Sequence, residues 1–132
     1  MSAFAFRSYL RADHYLAGVL RTMERRGKTL SAEGCVDAVI YWRKECRGAR
    51  VLCDNFSSRV MATCLKARDR RVYCRTLPRY TASTRFGYRD CRKRSVTRQT
   101  KRACAAAFRM IDFHCRQLRR AKAPPTASGG HP

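Results

Sequence analysis

The chain has 132 residues, enough for one domain or two very small ones. Thirty residues are Lys or Arg, 24 of them Arg, against nine acids, so the formal net charge is +21. Charge on that scale repels itself and weakens a compact state unless a polyanionic partner or covalent cross-links offset it. No stretch approaches the ~18 apolar residues of a membrane span.

Residues 1–30 read as an N-terminal amphipathic helix from about Ala3 to Arg26, with Tyr9, Leu16, Leu20 and Met23 on one face and Gly27 placed to end it. Phe4, Phe6, Tyr9 and Leu10 are interrupted by Arg7 and Arg11, so the apolar core of a secretory signal is missing. Arg7, Arg11, Arg21, Arg25 and Arg26 make an Arg-rich start of the kind seen in mitochondrial targeting segments. An ordinary first helix reads the same way, and the segment is expected to be retained. Ser31 is the expected N-cap of a second helix, with Glu33 in its first turn, running to Arg47 and stopping at Gly48. A third helix spans about Arg50 to Tyr73, so that residues 31–73 form a helical hairpin. Residues 74–120 comprise a basic loop bracketed by Pro78 and Gly87, then a fourth helix from about Arg94 to Arg120. The Pro-, Gly- and Ser-rich tail, 121–132, is expected to be disordered. Strand-like alternation is absent, so the expected class is all-α.

Eight cysteines, an even number, favour disulfides, each stabilising by about 2–4 kcal/mol. The competing use is zinc, but no C-x2-C, C-x3-C or C-x4-C knuckle occurs. Cys35 and Cys46 are eleven residues apart, as are Cys53 and Cys64, and Cys104 and Cys115. Eleven residues is almost three helical turns, so each pair shares a face. Val39 and Trp42 fill the first interval, Phe56 and Val60 the second, Phe108 and Ile111 the third. Antiparallel packing of the second and third helices would set Cys46 opposite Cys53 near the turn and Cys35 opposite Cys64 at the open end. The alternative is that each thiol is a small core hydrophobe. For the last four cysteines the choice stays open. Cys91 reaches Cys104 only if the chain turns between them, and Cys74 with Cys91 would instead close the loop.

The run C-x10-C, six residues, C-x10-C from Cys35 to Cys64 resembles the twin CX9C (CHCH) proteins of mitochondria, over about a quarter of the chain. The resemblance implies a helical hairpin closed by two parallel disulfides and oxidation in the intermembrane space. It also implies a place as an accessory subunit or assembly factor of a respiratory complex, or in the mitochondrial ribosome. Residues 74–120 fit it less cleanly, as a degenerate second unit in which only Cys104 and Cys115 keep the spacing.

No catalytic constellation is evident, and the chain is not expected to be an enzyme. His14, His114 and His131 are the only histidines, and neighbours such as His114 and Cys115 point about 100° apart on a helix. No cofactor is expected. Copper on inward-facing thiols favours closely spaced pairs, whereas eleven-residue steps separate sulfurs by about 16 Å. The arginines carry more. Arg68, Arg70, Arg71 and Arg75 form one cluster. Arg85, Arg89, Arg92, Lys93, Arg94, Arg98, Lys101 and Arg102 form a second, and Arg116, Arg119, Arg120 and Lys122 a third. Guanidinium groups pair in bidentate fashion with phosphates and carboxylates. Tyr80, Phe86 and Tyr88 would stack on bases or pin the loop to the helices. The expected function is that of a structural subunit of a mitochondrial respiratory-chain complex, on the intermembrane-space side of the inner membrane, docked on acidic protein or anionic lipid. The alternatives are a mitochondrial ribosomal protein whose arginines neutralise rRNA phosphates, and a secreted basic helical protein.

Overall fold

The computed structural model describes residues 3–78, 86–94 and 97–121, with side chains from residue 13 onward. The expected tail beyond Ala121, with Lys122, as well as Tyr80 and Arg85, lies outside those residues, while Ala121 itself is helical. Among the described residues six helices run in chain order: α1 Ala3–Gly27, α2 Ala32–Glu45, α3 Arg50–Lys66, α4 Arg71–Thr76, α5 Tyr88–Arg94 and α6 Arg98–Ala121. Among the described residues there is no strand, so the chain is all-α, with its helices clamped by disulfides.

Local chemistry sets the helix starts. Ser31 has extended backbone (φ −69°, ψ 169°), and its hydroxyl accepts from the Gly34 amide at 2.9 Å, so α2 begins where the sequence places it. Thr97 and Thr100 cap α6 reciprocally: the Thr100 amide donates to Thr97 Oγ1 at 3.1 Å and the Thr97 amide to Thr100 Oγ1 at 3.2 Å.

The three cysteine-bounded faces are the core. Val39, Trp42, Phe56, Val60, Phe108 and Ile111 are all buried, between cysteines that are themselves buried except for the half-exposed Cys46. Trp42 and Phe56 meet across α2 and α3 with ring centroids 6.3 Å apart. Cys35–Cys64 and Cys46–Cys53 bolt this hairpin at both ends, with Cα–Cα distances of 5.9 and 6.2 Å. Helix α6 lies against both α2 and α3. Buried Ala103 and Ala107 present no bulk there, which lets its backbone come close. Arg102 pairs with Asp54 near the start of α3, and His114 lies near Lys66, its last residue, and Arg70 just beyond, so α6 runs parallel to α3 and antiparallel to α2.

The remaining cysteines pair Cys74–Cys115 and Cys91–Cys104. The chain does turn between Cys91 and Cys104, and their Cα atoms are 5.7 Å apart, where continuous helix would hold them about 20 Å apart. The loop-closing Cys74–Cys91 bond is not formed. The second pairing is nested, outer around inner, in the same order as the first.

Two sequence expectations are corrected. The third helix does not continue to Tyr73; it stops at Lys66 because Arg70 turns its side chain inward and Asp69 restarts the chain by accepting from the Arg71 amide at 2.9 Å. The stretch before Arg94 is not all loop, since Tyr88–Arg94 is helical and carries Cys91 to α6. Gly27 does end α1, as its last residue, but without a left-handed turn: among the described residues the glycine with positive φ is Gly87 (φ +80°). A Cβ at Gly27 would instead strike the Cys64 carbonyl, so its bare Cα is what allows α1 to sit against α3.

Candidate anion-binding surface

Arg70 belongs to the first basic cluster in sequence, but it is not on the surface. It is 3% exposed and spends its donors on main-chain carbonyls. Nη1 donates to Leu30 O at 2.6 Å, Nη2 to Gly27 O at 2.9 Å and to Cys64 O at 3.0 Å, and Nε to Leu65 O at 3.1 Å. Gly27 ends α1, while Cys64 and Leu65 belong to the last turn of α3, so one guanidinium satisfies carbonyls that helix ends leave without partners. Burial lowers its pKa, and the neighbouring charge of Arg68 adds to the effect. No free face remains to meet an anion.

The second cluster divides. Arg94 turns toward α2, with Nε 3.1 Å from Asp37 and Nη2 3.9 Å from Glu33. Arg102 shares Asp54 with Arg43, whose Nε lies 2.9 Å from the carboxylate and whose side chain is buried. Arg89, Arg92, Lys93, Arg98 and Lys101 are exposed and make no ion pair among the described residues. Arg92 lies over the Tyr88 ring, 5.8 Å from its centroid, and Tyr88 is exposed. Phe86 meets Phe108 edge-on at 5.5 Å and so pins the chain to α6 rather than presenting a face to solvent. Arg92, Lys101, Phe86 and Tyr88 share a pocket of about 270 Å³ beside Cys91.

The first and third clusters, far apart in sequence, meet. Arg71 and Arg75 from α4 and Arg119 from α6 line one small pocket of about 70 Å³ around Cys74 and Cys115. Arg68 and Arg120 are exposed nearby in sequence, and Arg116 pairs with Asp112 at 3.1 Å. Asp69 is held well below the usual carboxylate range, at about 2, chiefly by hydrogen bonds from the Arg71 side chain and amide, with Arg75 adding its charge. Five arginines form ion pairs among the described residues: Arg43, Arg71, Arg94, Arg102 and Arg116. The rest of the positive charge is not neutralised by those acids.

No sequence expectation points to the groove of about 530 Å³ between α1 and α2, lined by Tyr15, Val19, Met23, Tyr41 and Trp42 among others. Tyr15 and Tyr41 are exposed at its edge, the one signal that helical periodicity could have offered. His114 is partly buried, and burial lowers its pKa, with Arg70 and Lys66 pushing the same way. All eight cysteines are in disulfides, and among the described residues no three His, Cys, Asp or Glu side chains converge as metal ligands. No helix of the described residues is long and apolar enough to cross a membrane. Compared with family models, curated proteins and solved structures, the chain finds no match.

Proposed function

We propose that this protein is a non-catalytic structural subunit of a large mitochondrial assembly, in the manner of the CHCH proteins. On this reading it is oxidised in the intermembrane space and belongs to a respiratory-chain complex of the inner membrane. The observation that carries the reading is the α2–α3 hairpin, bolted at both ends by Cys35–Cys64 and Cys46–Cys53. The nested Cys74–Cys115 and Cys91–Cys104 pair supports a second, degenerate unit of the same plan. Rigid helices of this kind hold exposed arginines at fixed positions, so little side-chain and backbone freedom remains to be lost on docking. Acidic faces of neighbouring subunits or anionic lipid are the proposed counterparts of that surface.

Two measurements test it. In protein isolated from cells under thiol-trapping conditions, all eight cysteines should resist alkylation until reduced; free thiols at Cys35, Cys46, Cys53 and Cys64 would remove the assignment. The exposed Tyr88 beside Arg92 favours a second reading, binding of rRNA in the mitochondrial ribosome. Affinity for RNA should then fall steeply with salt, its log–log slope growing with the number of phosphates contacted. A flat slope excludes that second reading.

A further inference from the structure

Helices α1 and α2 each pack on α3, and between them runs the groove of about 530 Å³. We propose that this groove holds one long acyl chain of an anionic lipid, with a fatty acid as its simplest form. The inference goes beyond docking of the arginine surface and stands whichever assembly the protein joins.

Size selects the occupant. The α1 side of the lining runs from His14 to Arg26, about 18 Å at about 1.5 Å per residue. The hydrocarbon of one bilayer leaflet is about 15 Å deep, so the chain of a membrane lipid matches that length. A helix with its side chains is about 10–12 Å across. A volume of about 530 Å³ drawn out over about 18 Å leaves a trench narrower than that. A single row of methylenes enters it, and a partner helix does not.

The lining suits such a chain. Met23 from α1 and Trp42 from α2 are buried at its base, while Tyr15 and Tyr41, 44% and 62% exposed, stand at its edge. An occupant would therefore take apolar surface out of water along the whole trench. Gly18 leaves the α1 wall open at mid-length: a Cβ there would meet nothing nearer than Arg21 Nη2, at 3.8 Å. Charge then orients the ligand. A short connection joins α1 to α2, so the two run antiparallel. Arg26 accordingly marks one end of the groove, and His14 with Glu45 the other. An anionic head is favoured at the Arg26 end, where Arg25 and Lys28 are also exposed, and disfavoured beside Glu45. The net charge of +21 selects anionic over neutral carriers.

Trp42 is the one tryptophan of the chain, so its fluorescence reports on this groove. The test titrates oxidised full-length protein, its disulfides verified by mass, with a dibrominated stearate kept below the concentration at which it self-associates. Bromine quenches an indole only in near contact. Quenching should saturate at one ligand per protein, and oleate should reverse it by competition. Gly18→Leu fills the trench without crowding the fold, and leucine suits a helix better than glycine. That variant should bind at least about tenfold more weakly, with its melting temperature unchanged or raised. Arg26→Gln should weaken binding more than Arg109→Gln, which removes the same charge from an exposed position on α6. Absence of quenching, quenching that does not saturate, or a Gly18→Leu titration equal to that of the unaltered protein overturns the proposal and leaves the groove to a protein partner. Equal weakening by Arg26→Gln and Arg109→Gln shows adsorption on general positive charge and overturns it as well.

Discussion

A single guanidinium illustrates how sequence neighbours part company. Arg68, Arg70 and Arg71 are consecutive or nearly so, yet Arg68 and Arg71 are exposed while Arg70 is buried among carbonyls of α1, α3 and the α1–α2 loop. Replacing it removes four donors from acceptors that water cannot reach. Arg70→Met is expected to destabilise the oxidised protein by about 3 kcal/mol or more in urea unfolding, with Arg70→Lys between the two because an ammonium reaches fewer carbonyls at once. His114 gives a pH signature. Its folded pKa is lowered from 6.5, so above about 6.5 the imidazole is neutral in both states and contributes nothing. Below that value the unfolded chain takes up the proton first and stability falls until the folded pKa is passed. The melting temperature should drop on acidification from pH 7 to about 5, and His114→Gln should flatten that part of the profile. A profile unchanged by the substitution would show that other groups cause it.

Among the elements, the disulfides differ in what they restrain. Cys46–Cys53 closes a separation of 7 residues and Cys74–Cys115 one of 41. Because cross-links act largely on the unfolded chain, replacing Cys74 and Cys115 together by Ser should cost about 4 kcal/mol, against about 2 kcal/mol for the corresponding Cys46 and Cys53 pair. Chemical denaturation of the two double variants checks the order; a larger loss for the short loop would mean that native packing at the turn, not chain entropy, sets the effect. The eleven-residue spacing made the α2 and α3 faces and the α6 face legible, since period and cysteine placement coincide there. Helix α5 was not legible: seven residues with four basic side chains and one buried cysteine carry no periodic signal of their own. It is held by Cys91–Cys104 and by the Arg94 contacts to α2.

For the whole molecule, +21 of net charge works against the compact state. Only five arginines find acids among the described residues, so self-repulsion remains across the surface. Raising sodium chloride from about 0.01 M to about 0.15 M shortens the screening length from about 30 Å to about 8 Å. Thermal stability of the oxidised protein should therefore increase over that range, and a constant or falling melting temperature would show that the ion pairs outweigh the repulsion. An anionic partner would supply the same relief at chosen positions, which links stability to the proposed docking.

The sequence by itself determined the helical class, the two-bolt hairpin and the buried faces, because helical period is local and three cysteine pairs repeat it. It also showed how much positive charge there is. Where that charge lies was decided only by the tertiary structure. The fold took Arg70 inside, spent Arg94 and Arg102 on acids of α2 and α3, and brought Arg75 beside Arg119. Contacts of that kind join residues forty or more positions apart, and no pattern along the chain encodes which helix ends will meet.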